Sequence, residues 1–132
     1  MAQKNIEFAQ RAFAAFNRGD VATVLAMLSP DVEVYSSPEL ANPGTFHGHD
    51  GFLEWSGRWL EVWETFRVEA NDFMAEGDDV VVSAHQYGRG KGSGIEVEMD
   101  AAYLLTVRDG KSVRFHLYPD KADALEAVGP RE

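Results

Sequence analysis

Cysteine is absent from the 132 residues. Disulfides, thiolate nucleophiles and cysteine-based zinc sites are thereby excluded. Basic residues are scarce: 12 Lys and Arg stand against 22 Asp and Glu, a formal net charge of −10. That balance disfavours nonspecific contact with nucleic acid or an anionic membrane, so neither is expected as a partner. No run approaches the roughly 18–20 apolar residues of a membrane span. Met1-Ala2-Gln3-Lys4-Asn5 lacks the apolar core of a signal peptide, and a cytoplasmic protein is the expectation. No repeat, low-complexity tract or Pro/Ser-rich linker divides the chain, which reads as a single domain over 1–132. What is abundant is apolar: 45% of residues, including eight Phe, four Tyr and three Trp. A domain near this size buries roughly two thirds of its unfolded surface, so it can fold without a metal or disulfide, and no metal or cofactor is expected.

Periodicity sets out the elements. Ile6, Ala9, Phe13 and Phe16 recur at helical spacing over 3–18, and Asn17-Arg18-Gly19 closes that helix. Asp20 suits the N-cap of a short second helix carrying Val21, Val24, Leu25 and Leu28. A strand over 32–35 and a turn-rich loop over 36–49 follow. Asp50 then suits the cap of a third helix ending near Thr65, with Phe52, Trp55, Trp59, Val62 and Trp63 as its aromatic stripe. Strands are expected over 66–75, 79–87, 95–107 and 112–118, with Asp109-Gly110 a type I′ hairpin signal. A terminal helix over 120–128 completes the order ααβαββββα. Helices first and hairpins later indicate α+β with a mostly antiparallel sheet.

Several segments carry a family likeness. They are Phe16-Asn17-Arg18-Gly19-Asp20, Leu28-Ser29-Pro30-Asp31-Val32-Glu33, Phe46-His47-Gly48, Gly77-Asp78-Asp79-Val80-Val81, Val107-Arg108-Asp109-Gly110-Lys111 and Tyr118-Pro119-Asp120-Lys121-Ala122. In this order the chain resembles the SnoaL-like polyketide-cyclase group of the nuclear transport factor 2-like superfamily. The resemblance implies a cone: a curved sheet packed against the helices, one face enclosing an apolar pocket, the other facing solvent or a second subunit. A homodimer through that outer face is the expectation. This superfold hosts isomerases, cyclases, hydrolases and non-catalytic binders, so function must come from the pocket.

Alternation assigns the faces. Val97, Met99, Ala101, Tyr103, Leu105 and Val107 form an inward row, opposite Glu96, Glu98, Asp100, Ala102, Leu104 and Thr106. On the last strand Val113, Phe115 and Leu117 point inward, and Arg114, His116 and Tyr118 outward. The strand from Asp79 permits two registers, one burying Val80, Val82 and Ala84, the other Val81, Ser83, His85 and Tyr87. Similarity to ketosteroid isomerases favours the second. The isomerase base position falls at Ser36, its helix-one phenol position at Ala12 and its acid position at Tyr103. The limonene epoxide hydrolase aspartate position falls at Leu117. Neither apparatus is complete, since an unassisted serine is no general base at neutral pH.

The candidate catalytic pair is therefore His85, moving a proton, and Tyr103, stabilising negative charge on oxygen. Tyr87, Trp55, Trp59, Phe13, Val34, Met99, Phe115 and Leu117 are the expected ligand-binding wall. Two readings follow: a small-molecule-binding protein acting by cofactor-independent acid–base chemistry on a small apolar, cyclic or polyketide-like compound, or a non-catalytic ligand-binding or dimerisation module. His47-Gly48-His49 would need a third metal ligand such as Asp50 or Glu54 and supporting contacts, and Asp50 is better explained as a helix cap. The glycines of 88–94 lie between strands, unlike a phosphate-binding loop, which opens a helix.

Overall fold

The computed structural model describes residues 2–40 and 43–128. Helix α1 (Ala2–Asn17) buries Phe8, Ala9, Phe13 and Ala15. It ends as the chain turns through Gly19, whose φ of 74° lies in the left-handed region that glycine tolerates. Asp20 then caps α2 (Val21–Met27), its carboxylate accepting from the Thr23 amide at 3.2 Å and the Thr23 hydroxyl at 2.7 Å. Without an intervening loop the chain enters β1 (Leu28–Ser36).

Within the expected loop over 36–49 lies a further strand, β2 (Gly44–His47), paired antiparallel with β1 from Ser36↔Gly44 to Glu33↔His47. Four short, mostly exposed residues at a sheet edge carry no alternation to announce them; Ala41 and Asn42 of that loop lie outside the described residues. Helix α3 (Gly48–Glu61) starts three residues earlier than Asp50 capping would require. His47 is its N-cap and makes no side-chain cap bond, while Asp50 sits in the first turn, where the helix dipole favours a carboxylate. Its buried stripe is Phe52, Trp55, Ser56 and Trp59. Trp63 is not on that helix: it opens β3 (Trp63–Glu76).

The remaining strands are β4 (Asp79–Gly90), β5 (Glu96–Arg108) and β6 (Lys111–Tyr118), and α4 (Lys121–Val128) closes the described fold. One six-stranded sheet runs β2-β1-β6-β5-β4-β3, with only the β1–β6 pair parallel. Register breaks in the β3–β4 pair between Ala70 and Asp72, and in the β5–β6 pair between Thr106 and Val107. Such irregularities bend strands and favour a curved sheet. Trp63 lies on the backbone of Gly88, where an added β-carbon would come within 2.6 Å of its ring.

The main core lies between the inner sheet face and helices α1 to α3. A second, smaller cluster occupies the outer face, where Ala124 of α4 packs on Val81, Ala102 and Leu104. No described helix is long and apolar enough to cross a membrane.

Candidate functional site

The inner face encloses a cavity of about 30 Å³. From α1 come Phe8, Ala12, Phe13 and Phe16, and from α2 and the start of β1 Val24, Met27 and Leu28. Helix α3 supplies Phe52, Trp55 and Trp59, whose spacing of three and four residues keeps them on one face. The sheet supplies Phe66, Val68, Gln86, Tyr103, Leu105, Ser112, Phe115 and Leu117. No carboxylate, imidazole, ammonium or guanidinium group belongs to this described wall.

The rings interlock edge to face. Phe13 meets Tyr103 with centroids 4.9 Å apart, and Phe115 meets Tyr103, Trp55 and Phe52 at 5.5, 5.7 and 5.9 Å. Aromatic pairs of this geometry contribute beyond their area burial. Of the residues expected at the wall, Trp55, Trp59, Phe13, Tyr103, Phe115 and Leu117 line the cavity together. Val34 is fully buried in the core cluster but lies outside the lining. Met99 is half-buried and lies outside the lining, although it pairs across β5 and β4 with Gln86, which belongs to it.

The polar centre of the cavity is a pair. Gln86 donates from Nε2 to the Tyr103 phenol oxygen at 2.6 Å, both residues being 3% exposed. Burial drives the phenol's pKa well above its ordinary value, and the Gln86 hydrogen bond opposes only part of that rise. Tyr103 thus keeps its proton and acts as a neutral donor and acceptor, not as a base.

His85 and Tyr87 are not at this centre, which corrects their expected placement. Strand β4 takes the register that turns Val80, Val82, Ala84 and Gln86 inward. His85 lies on the outer face, its Nδ1 2.7 Å from Asp100 Oδ1 and its Nε2 2.8 Å from Glu98 Oε1. With a carboxylate on each ring nitrogen the imidazolium is favoured, and hydrogen bonding to Glu98 and then Asp100 raises its pKa. Tyr87 donates to Glu69 at 3.1 Å and lies beneath the Arg67 guanidinium, 4.3 Å from the ring centroid. The cause is the β4–β5 register, which sets His85 opposite Asp100 and Tyr87 opposite Glu98. Both acidic partners belong to β5's outer row, so their neighbours on β4 must share that face.

On β6, Phe115 and Leu117 face inward as expected, but Ser112 takes the cavity position that alternation gives to Val113. The register break beside Val107 displaces that end of the strand. Outside, His116 bridges the Tyr118 hydroxyl at 3.0 Å and Glu33 at 2.8 Å. Desolvation lowers its pKa, outweighing the attraction of Glu33.

Ser36, at the isomerase base position, is buried, and its hydroxyl has no hydrogen-bond partner among the described residues. His49 contacts the Leu28 carbonyl through Nε2 at 2.9 Å, and no cluster of three metal-ligating side chains occurs among the described residues. The β4–β5 connection is a hairpin turning after Gly90. Gln86 is the polar group that sequence reasoning missed, and its signal was the alternative β4 register: continuing Val80, Val82 and Ala84 by two residues reaches it.

Residues 9–115 match the SnoaL-like domain. An uncharacterised protein of Mycobacterium tuberculosis is 29% identical over 120 residues, covering 89% of this chain and 91% of that protein. Among solved structures, TerC co-crystallised with polyporic acid has 27% identity and a TM-score of 0.78, covering 96% of this chain and 98% of its own. A Xanthomonas campestris protein of unknown function with a cystatin-like fold gives 29% identity and a TM-score of 0.78 at the same coverage. AclR, a putative hydroxylase from Streptomyces galilaeus, shares the fold at 19% identity and a TM-score of 0.77.

Proposed function

The chain belongs to the SnoaL-like family of the nuclear transport factor 2-like superfamily, and from that membership we propose that it is a binding protein for a small, mainly apolar, ring-bearing molecule held inside the cone. The observation that carries this reading is the wall itself: aromatic and aliphatic side chains surround one hydrogen-bonding pair, Gln86 and Tyr103. A wall of this kind, apolar with a few convergent polar groups, is what small-molecule sites present. Tyr103 would meet a ligand oxygen. Because the Gln86 amide can offer either its NH₂ or its carbonyl oxygen to the phenol, the pair can serve a ligand acceptor or a ligand donor.

Binding without acid–base turnover is favoured over a cyclase-like reaction. Proton transfer needs a group of suitable pKa within reach of the substrate. The lining offers only a phenol held protonated, an amide and a serine, and His85 stands on the opposite sheet face. The co-crystallisation of TerC with polyporic acid supports a small organic compound as occupant. A homodimer over the outer face, in cytoplasm, belongs to the same proposal.

A thermal-shift screen of apolar ring compounds, each bearing one oxygen, tests the reading. Binders should raise the midpoint of the wild-type protein, and Tyr103→Phe should reduce the shift. A cone that accepts none of them, or shifts that Trp55→Ala and Tyr103→Phe leave unaltered, would refute it.

A further inference from the structure

The closed cavity is too small for the ligand just proposed. Its volume of about 30 Å³ suits a water or two, whereas ligand sites run from roughly 300 Å³ upward. Beside it lies an open cleft of about 180 Å³ between the α1–α2 turn and α3. Phe16, Val24, Phe52 and Phe66 line both spaces, so side chains alone divide them. Val24 and Phe52 are 7% and 3% exposed and belong to the packed core. Phe16 and Phe66 are half-buried and meet edge to face, centroids 6.2 Å apart at 86°.

The backbone here is tied down. Asn17 donates from Nδ2 to the Val68 carbonyl at 2.7 Å and accepts the Val68 amide on Oδ1 at 2.9 Å. That two-point clamp fixes the end of α1 on β3, so on this side of the cleft an opening comes from ring rotation and not from displacement of α1.

We propose that Phe16 and Phe66 form a two-ring gate through which ligand enters, and that the bound ligand spans both spaces. It would be an elongated compound, with an apolar ring in the cavity and a neutral hydrogen-bonding end in the cleft. The cleft wall argues for that end. Asp20 already holds Arg18 at 3.2 Å and Thr23, which leaves little call for a second cation. Among the described residues the Ser56 hydroxyl has only a long 3.5 Å contact with the Leu53 carbonyl, so it remains able to meet a ligand hydroxyl or amide.

The gate rests on the binding reading, and the experiment separates the two. The first arm follows stopped-flow tryptophan fluorescence with a biphenyl carrying a hydroxyl at each end. Phe16→Ala should speed both association and dissociation about tenfold, as a lowered opening barrier requires, with Phe66→Leu moving the same way. Arg11→Ala is the comparison, because Arg11 lines a different cleft beside Gly110 and belongs to neither the cavity wall nor the cleft wall. It should change the rates less than about twofold. A larger effect at Arg11 than at Phe16 overturns the gate. The second arm needs no ligand: acrylamide quenching of Trp55 and Trp59, read in a Trp63→Phe background, should rise in Phe16→Ala and not in Arg11→Ala. Raised quenching without biphenyl binding would keep the gate and remove the ligand; binding with unchanged rates and quenching would do the reverse.

Discussion

Removing the Tyr103 hydroxyl tests whether the polar centre is a real hydrogen bond. Tyr103→Phe takes one oxygen from a residue 3% exposed and strands the Gln86 Nε2 that donates to it at 2.6 Å. A buried group left without its partner costs about 1–3 kcal/mol, whereas replacing both partners by apolar groups of similar shape is close to neutral. Tyr103→Phe and Gln86→Leu should each destabilise by that amount, and the double variant should fall well short of their sum. The coupling recovered from the cycle should be about 1–2 kcal/mol, within the range for residues in contact. Each single variant should lower the melting temperature by about 3–5 °C per kcal/mol for a chain of this size. Urea unfolding of the four proteins at one pH measures the cycle. Simple additivity would mean that the two groups do not meet in solution, and the site would lose its polar anchor.

Other consequences follow from individual contacts. Gly88→Ala puts a methyl against the Trp63 ring at 2.6 Å, so about 1–3 kcal/mol of overpacking destabilisation is expected; Trp63→Leu in the same chain should restore most of it, as calorimetry would show. Ser36→Ala removes a buried hydroxyl lacking a partner among the described residues and should stabilise by about 1 kcal/mol in urea; a loss of that size would mean that the hydroxyl is bonded after all. His85 has a raised pKa in the fold, so its stabilising contribution is full below the unfolded value of about 6.5 and is lost as pH rises through the folded value. Wild type should therefore gain stability relative to His85→Gln on going from about pH 8 to about pH 6, and parallel profiles would contradict the Glu98 and Asp100 contacts. His116 runs the other way. Its lowered pKa makes wild type lose stability relative to His116→Gln as pH falls below about 6.5, again read by urea unfolding at each pH.

The sequence spelled out those stretches of strand that have one wet face. In β5 the acidic row at 96, 98 and 100 marks the outer face, and Ala101, Tyr103, Leu105 and Val107 lie in the main core where alternation puts them; Val97 of the expected inward row is exposed instead, and Ala102 and Leu104 of the opposite row are buried beneath α4. Strand β4 was not legible in this way, because apolar residues occupy 80, 81 and 82 and all three are buried. Val80 and Val82 belong to the main core, while Val81 is covered by α4 on the other face. A strand covered on both faces has no alternation to read. The choice of register then fell to a resemblance, and it placed His85 on the wrong side. Pairing the hairpin would have corrected it: Asp100 on the outer row of β5 brings its β4 neighbour outward. Trp63 presents the same difficulty at a boundary, since its spacing continues the α3 stripe although the chain has already turned into β3.

The most direct measurement is a nuclear magnetic resonance titration with the biphenyl-diol, following the Gln86 side-chain amide and the tryptophan indoles. Occupation of the cone predicts saturable shifts at Gln86, Trp55 and Trp59, with the outer pair His85 and Tyr87 unmoved. Shifts confined to His85 and Tyr87, with the inner signals still, would place the ligand on the other face of the sheet and contradict the account.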